Sequence, residues 1–288
     1  MTPRVATLIG LSAILMWSLL AVMTVATGTI PPFQLAAMTF AIGAAAAAVG
    51  WIARPQAVRA LRQPPLVWAV GVGGLFGYHA LYFVALRLAP PAEAGLLNYL
   101  WPLLIVLFSS LLPGERLMPH HLAGALLGLA GTVLLFTGNG AALERAYLPG
   151  LAAAFVAAFV WASYSVLSRR LSAVPTDAVA GFCFVTALLA AAVHVLIEAT
   201  AWPETALQWV AIVALGIGPV GAAFYAWDIG MKRGDIRVLG AASYATPLLS
   251  TAFLIVAGYA RPTATLAVAA LLIAGGGLLA AKDMLKRG

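Results

Sequence analysis

The sequence predicts an all-α membrane protein with ten transmembrane helices in two inverted five-helix repeats. Three observations carry that expectation. First, 63% of the 288 residues are hydrophobic and only 9% are charged, against about 25% charged in a soluble domain. A helix needs roughly 20 apolar residues to cross the hydrocarbon core, so the chain holds about ten or eleven spans and no separate soluble domain. Second, the chain repeats itself. Gly77 to Ile105 falls on Ala222 to Ser250 without a gap, an offset of 145 positions. Gly95, Tyr99, Pro102 and Leu103-Leu104 then meet Gly240, Tyr244, Pro247 and Leu248-Leu249; Arg87 meets Lys232 and Tyr82 meets Trp227. Trp17 meets Trp161 at an offset of 144. Third, Lys and Arg alternate from side to side along the chain, as loops of alternating sidedness require.

The elements follow in order. The first apolar run, Val5 to Thr27, follows Arg4 and extends past Val25, longer than a signal-peptide core, so it reads as a retained span. A Gly28-Thr29-Ile30-Pro31-Pro32 turn separates it from Pro32 to Ile52. Pro64-Pro65 opens Leu66 to Leu86, and Pro90-Pro91 opens Ala92 to Leu112. Pro113-Gly114 precedes His121 to Thr137, and Gly138-Asn139-Gly140 closes the first half. The second half offers Leu148 to Ser168, Ala178 to Ile197, Thr205 to Met231, Val238 to Gly258 and Thr263 to Ala281. Residues 1–140 form one repeat and 147–288 the other, joined by the Asn139 to Ala146 loop.

With the N-terminus inside, the inner loops collect Arg4, Arg54, Arg59, Arg62, Arg116, Arg169, Arg170, Lys232, Arg233, Arg237, Lys282, Lys286 and Arg287. The outer loops keep Arg87, Arg145 and Arg261, so the tally is thirteen against three of the 16 basic residues. Both termini are then cytoplasmic. An odd number of helices per half forces the second copy into the bilayer upside down, an arrangement suited to alternating access.

Pro102 and Pro247 are mid-membrane repeat partners. Each removes a helix hydrogen bond and crowds the carbonyl four residues earlier, at Asn98 and Ser243. The reading is a pair of hinges that also line a cavity, against a kink alone. Trp51, Trp68, Tyr147, Trp202, Trp209 and Tyr259 lie near helix ends and fit interfacial belts. Trp17, Tyr78, Tyr82, Tyr99, Trp101, Trp161, Tyr164 and Tyr244 lie deeper. As a set they suit a wet pocket with stacking surfaces; each ring alone is equally served by core packing. His79 is open between binding a substrate carboxylate, taking up a proton, and a neutral bond to a nearby tyrosine or carbonyl. Asp228 with Lys232, and His194 with Glu198, are spaced four apart and read as helix-surface ion pairs. Glu93 suits a helix start. Glycines recur, at positions 71, 73, 74, 77, 124, 128, 131, 216, 218, 221, 275, 276 and 277, and read as close helix packing.

Other chemistry is not signalled. The net charge of +7 is dispersed rather than interleaved with exposed aromatics, so nucleic-acid binding is not expected. The single cysteine, Cys183, permits no disulfide and reads as a small buried side chain. There is no phosphate loop, HExxH or aspartate cluster, and His120-His121 lacks an acidic or cysteine partner nearby in sequence. No catalytic residue, metal or cofactor is expected.

The two five-helix halves, with Tyr82-Phe83-Val84-Ala85-Leu86 and Ala92-Glu93-Ala94-Gly95-Leu96-Leu97-Asn98-Tyr99-Leu100-Trp101-Pro102, resemble the drug/metabolite transporter superfamily in its EamA-like branch. The second segment is similar to that branch's aromatic amino acid exporters. The resemblance implies inner-membrane export of amino acids or metabolites through a central cavity, with organic cations such as methyl viologen as an alternative cargo. Small four-helix relatives place a glutamate in the first helix for proton-coupled cation export; here that helix has no carboxylate, so proton coupling does not carry over.

The reading is therefore a monomeric secondary transporter in the lipid bilayer, not an enzyme. Its rivals are a channel-like facilitator and a lipid-modifying membrane enzyme. Trp17, Tyr78, Tyr82, Tyr99, Trp101, Trp161, Tyr164 and Tyr244 would stack on a small-molecule substrate, and His79, Asn98 and Ser243 would bond its polar end. The inverted repeat makes a direct prediction: cysteines placed as Arg87→Cys and Lys232→Cys react with an impermeant maleimide from opposite sides of the membrane, and labelling from the same side would refute the topology.

Overall fold

Each apolar run becomes helical because lipid offers its backbone no hydrogen-bond partner outside the segment. The structure, a computed structural model, describes residues 1–114, 116–136, 145–258 and 261–283. The turn at positions 138–140, most of the loop joining the halves, Tyr259, Lys286 and Arg287 lie outside the described residues. The described chain is helical in the order α1 Pro3–Ser18, α2 Leu20–Ala26, α3 Pro32–Ile52, α4 Pro65–Val72, α5 Tyr78–Leu88, α6 Pro91–Asn98, α7 Trp101–Ser109 and α8 Pro119–Phe136. It continues as α9 Leu148–Arg170, α10 Ala178–Ile197, α11 Ala206–Ile217, α12 Ala223–Arg233, α13 Ile236–Ala242, α14 Ala245–Val256 and α15 Ala264–Ala280. No strand occurs among the described residues. Seven helical stretches are long and apolar enough to cross a membrane, and 93–109 and 264–280 are shorter apolar helices.

Local chemistry starts and stops these helices. Proline opens α1, α3, α4, α6 and α8, where its missing N–H leaves nothing unpaired. Thr2, Thr205 and Thr263 cap α1, α11 and α15, and Gln208 completes a capping box with Thr205. Asp235 caps α13 through Arg237 N–H and Val238 N–H. Burial works against the Asp235 carboxyl, but its bonds to Arg237 and the cap amides outweigh that and hold it below its usual range. Gly28 and Gly258 take φ values of 74° and 82° just past α2 and α14, a left-handed conformation that ends a helix.

Several spans are interrupted, and the interruptions repeat. The stretch from α4 to α5 passes through a π-helical segment, Gly73–Gly77, and that from α11 to α12 through another, Gly218–Ala222. These segments stand at the same offset of 145 positions that relates the two sequences. The break between α6 and α7 falls at Tyr99 and Leu100; the break between α13 and α14 falls at Ser243 and Tyr244. Pro102 and Pro247 thus sit in the first turn of the second piece, where a proline is tolerated, rather than inside a continuous helix. Ser243 C=O accepts from Thr246 N–H at 3.0 Å, and the Ser243 hydroxyl donates to Leu239 C=O instead of serving its own carbonyl. Pro219 has no proline partner, but its counterpart Gly74 lies in the matching π segment.

Hydrogen bonds fix how the helices run. Glu198, just past α10, accepts from Phe33 N–H at 3.2 Å, Gln34 N–H at 3.1 Å and Arg87 at 3.2 Å. At the other end of α10, Asp177 accepts from Trp51 Nε1 at 3.3 Å and Arg54 at 3.2 Å. Lys232 donates to Val174 C=O there at 2.8 Å. Arg87 and Lys232 therefore lie at opposite ends of α10, a helix about 30 Å long by its rise per residue. The α4–α5 and α11–α12 stretches, alike in sequence, run in opposite directions.

The main pairings are α8 with α15, α3 with α10, α1 with α12 and α5 with α9. Small residues set the closest of them. A Cβ on Gly124 would stand 2.5 Å from Gly276 O, and one on Gly230 2.7 Å from Gly10 Cα. Gly73, Gly218, Gly275 and Gly277 face open space instead, so close packing does not explain them. Trp202 and Trp209 are exposed as a belt requires, but Trp68 packs edge-on against Phe182 at 5.4 Å and touches Gly181, so it belongs to the interior. Gly276→Val is expected to destabilise the protein by about 1–3 kcal/mol through overpacking, whereas Gly277→Val leaves the midpoint nearly unchanged; thermal unfolding in detergent compares the two.

Candidate functional site

Rings from both halves converge midway along the bundle. Trp17 from α1 lies 5.5 Å from Trp161 of α9 and 5.1 Å from Trp227 of α12. Trp101 of α7 meets Trp161 edge-on at 6.3 Å and Trp227 at 5.9 Å. Tyr164, one turn below Trp161, is 5.3 Å from it. These four sequence-predicted rings form a floor: Trp17, Trp101, Trp161 and Tyr164 are 3–8% exposed. Tyr164 fits because Gly74 has no side chain; a Cβ there would stand 2.3 Å from the tyrosine ring.

Tyr78, His79 and Tyr82 of α5, with Tyr99 beyond α6, are only half-buried and stand above that floor, towards the Arg87 end. Tyr78 stacks on Tyr82 at 6.0 Å and 9°, as a four-residue spacing allows, and reaches Trp161 at 5.2 Å. His79 Nδ1 donates to Leu75 C=O at 2.7 Å, so the neutral ring keeps Nε2 as its acceptor nitrogen. That bond is the carbonyl partner foreseen among the roles for His79. Its ring also meets Phe40 edge-on at 5.1 Å.

Polar chemistry in this cluster is sparse. Asn98 Nδ2 donates to the Tyr78 hydroxyl at 3.0 Å, while Asn98 Oδ1 is buried with no hydrogen-bond partner. Trp17 Nε1 donates to Pro219 C=O at 3.0 Å, and Trp227 Nε1 to the Ser165 hydroxyl at 3.0 Å. None of the clustered side chains carries a formal charge. Such a wall can stack on a flat apolar group and accept from one donor at Asn98, without burying a fixed charge of its own.

Two predicted residues are not brought here. Ser243 is fully buried and bonded within its own helix. Tyr244 packs in a separate core with Val106, Ala125, Ala241, Ile273 and Ala280. Its hydroxyl accepts from Leu103 N–H at 3.2 Å, a donor released by the break in the other half. Conversely, Phe40, Phe224 and Trp227 join the cluster and went unassigned. Phe40 and Phe224 stack at 5.7 Å and 10°. The pairing of Tyr82 with Trp227 in the repeat is the signal that finds Trp227; nothing in sequence separates Phe40 and Phe224 from lipid-facing phenylalanines.

The pairs read from spacing are present and more buried than expected. Lys232 Nζ lies 2.8 Å from Asp228 Oδ2, and His194 Nδ1 lies 3.0 Å from Glu198 Oε2. Glu93 is in the first turn of α6, but its Oε2 is buried without a partner. His120-His121 has no acid nearby in sequence, but the fold brings Asp283 to 3.2 Å from His120 Nε2. Chain separation hid this acid. His121 Nδ1 already accepts from Met118 N–H at 3.2 Å and Asp283 is half-exposed, so the trio reads as a His120–Asp283 contact beside a second ring.

The sequence profile of the EamA-like transporter family matches residues 4–137 and 148–281. The aromatic amino acid exporter YddG of Ancylobacter novellus is 58% identical over 277 residues, covering 96% of each chain. The exporter of the same name in Escherichia coli is 28% identical over 304 positions, covering 97% of each. A solved crystal structure, 57% identical, aligns over 98% of both chains with a TM-score of 0.94. Tyr244→Phe removes the acceptor for Leu103 N–H while keeping the ring; it is expected to lower stability by about 1–2 kcal/mol, read as a lower thermal midpoint in detergent.

Proposed function

This chain belongs to the EamA-like transporter family, and from that premise we propose that it exports aromatic and related neutral amino acids across the cytoplasmic membrane by alternating access. The observation that carries the reading is the ring cluster: a half-exposed wall of Tyr78, His79 and Tyr82 over a buried floor of Trp17, Trp101 and Trp161, with Asn98 Oδ1 as an unused acceptor. An aromatic side chain stacks on the wall, each ring pair adding about 0.5–1.5 kcal/mol beyond burial. The substrate ammonium donates to Asn98 Oδ1. A cluster without a carboxylate suits a zwitterion better than a dication, which would enter with two uncompensated charges.

The protein works as a monomer of ten spans, with residues 1–140 and 147–288 as inverted repeats. The matched π segments, the matched breaks, and the opposite ends taken by Arg87 and Lys232 support that division. The end that gathers Arg54, Arg169, Arg170 and Lys232 faces the cytoplasm, as do both termini, by the excess of positive charge. In this conformation the floor closes the inner side and the half-exposed wall opens outward. The halves rock about the cluster, and the breaks before Pro102 and Pro247 let α6–α7 and α13–α14 bend.

Counterflow in proteoliposomes tests the reading. Labelled phenylalanine accumulates against a preloaded unlabelled pool, and the recovered compound is chemically unaltered by mass spectrometry. Trp101→Ala raises the half-saturating concentration by about tenfold, the equivalent of 1.4 kcal/mol. A channel would show no counterflow, and unchanged transport by the Trp101 variant would remove that ring from the site.

A further inference from the structure

Two cavities lie beneath the aromatic floor at the inner end, and one side chain lines both. The larger, about 640 Å³, is bounded by Leu112, Pro113, Arg169, Arg170, Ser172 and Lys232. The smaller, about 10 Å³, has room for no more than one water and lies among Tyr164, Ser168, Asp228 and Lys232. Lys232 is the partition between them. Its ammonium donates to Asp228 Oδ2 at 2.8 Å and to Val174 C=O at 2.8 Å. Asp228 also accepts from the Thr176 hydroxyl at 2.7 Å. The two side chains are only 6% and 3% exposed. Tyr164, on the far wall of the small cavity, belongs to the aromatic floor. A continuous line therefore runs from the inner vestibule through the ion pair to the ring cluster.

The charges along that line are complementary to the proposed cargo. Among the described residues three basic and no acidic side chains bound the vestibule, and a mouth rich in one sign concentrates ligands of the other. The single carboxylate stands one step deeper, at Asp228. We infer that Lys232 and Asp228 form a second binding site for the charged end of an α-amino acid, Lys232 with Arg170 taking the carboxylate and Asp228 the ammonium. This rests on the export reading above and supplies the charged partners that the uncharged ring cluster lacks. A zwitterion enters only as the pair parts, since the space beside it holds no more than one water, and one ion pair is then exchanged for two with no charge left buried alone. A purely structural role is a weaker account, because a buried ion pair adds little stability over apolar side chains of the same size.

Three probes competing with labelled phenylalanine in counterflow separate the cases: phenylalanine, phenethylamine without a carboxylate, and 3-phenylpropionate without an ammonium. Lys232→Gln should weaken phenylalanine and 3-phenylpropionate by about 10–100-fold, the loss of a charge-assisted hydrogen bond, and leave phenethylamine unchanged. Asp228→Asn should weaken phenylalanine and phenethylamine and spare 3-phenylpropionate. Arg170→Gln probes the vestibule without touching the buried pair, and should weaken the two carboxylates by a smaller factor even if the Lys232 variant does not fold. Equal losses for all three probes, recovery on swapping the pair as Asp228→Lys with Lys232→Asp, or no effect of Arg170→Gln on either carboxylate would overturn the site. A wild type without phenylalanine counterflow would instead sink the export reading itself.

Discussion

The structure depends on one constraint: a backbone inside lipid must close every hydrogen bond without water. Continuous helices meet it trivially. This chain interrupts its helices near the middle, and each half covers a defect in the other. Trp17, from the first half, donates its indole N–H to the carbonyl of Pro219 in the second half's π segment. Tyr244, at the second half's break, receives the Leu103 N–H that the first half's break sets loose. An unmet group of this kind costs about 1–3 kcal/mol, so the halves are tied together at the places where each alone is incomplete. Trp17 also joins the rings of α9 and α12 in one cluster.

Charge obeys the same logic. In the hydrocarbon region an ion needs a partner or a wet space. Glu198 has three sets of partners: the first amides of α3, Arg87 and His194. Asp177 gathers Trp51 and Arg54 at the other end of α10. Both acids flank one helix and act as its two anchors, joining α3 to α10 at each end. Asp228 and Lys232 form a second tightly buried pair beside the Asp177 anchor, through Thr176 and Val174.

Much of this was legible in the sequence because lipid enforces simple patterns. The bounds of α3 and α10 could be read directly from proline, glycine and charge at the ends of apolar runs. Pro102 and Pro247 marked the two interruptions, which fall at Tyr99–Leu100 and Ser243–Tyr244, just ahead of each proline. Ring spacing on α5 and α9 placed Tyr78, Tyr82, Trp161 and Tyr164 together. The differences between expectation and structure share a cause. Repeat symmetry pairs Ser243 and Tyr244 with Asn98 and Tyr99, but the packing is not equal: Tyr244 faces α8 and α15, whereas Tyr99 stays half-exposed. Phe40 and Phe224 have no polar atom to betray their depth. The π segments leave no compositional mark, since Gly73 and Gly218 resemble any packing glycine until the space around them is seen. Asp283 meets His120 only because α15 returns alongside α8.

The π segment between α4 and α5 has an angular consequence. A π turn takes up one more residue than an α turn, and one residue corresponds to about 100° around a helix axis. Beyond Gly77 the stripe of inward positions is therefore out of phase with the stripe on α4. Straightened into an uninterrupted α-helix, the same sequence would aim Tyr78, His79 and Tyr82 at a different neighbour. The orientation of that wall is thus encoded less by the identity of its residues than by a slip in helical register a few positions upstream.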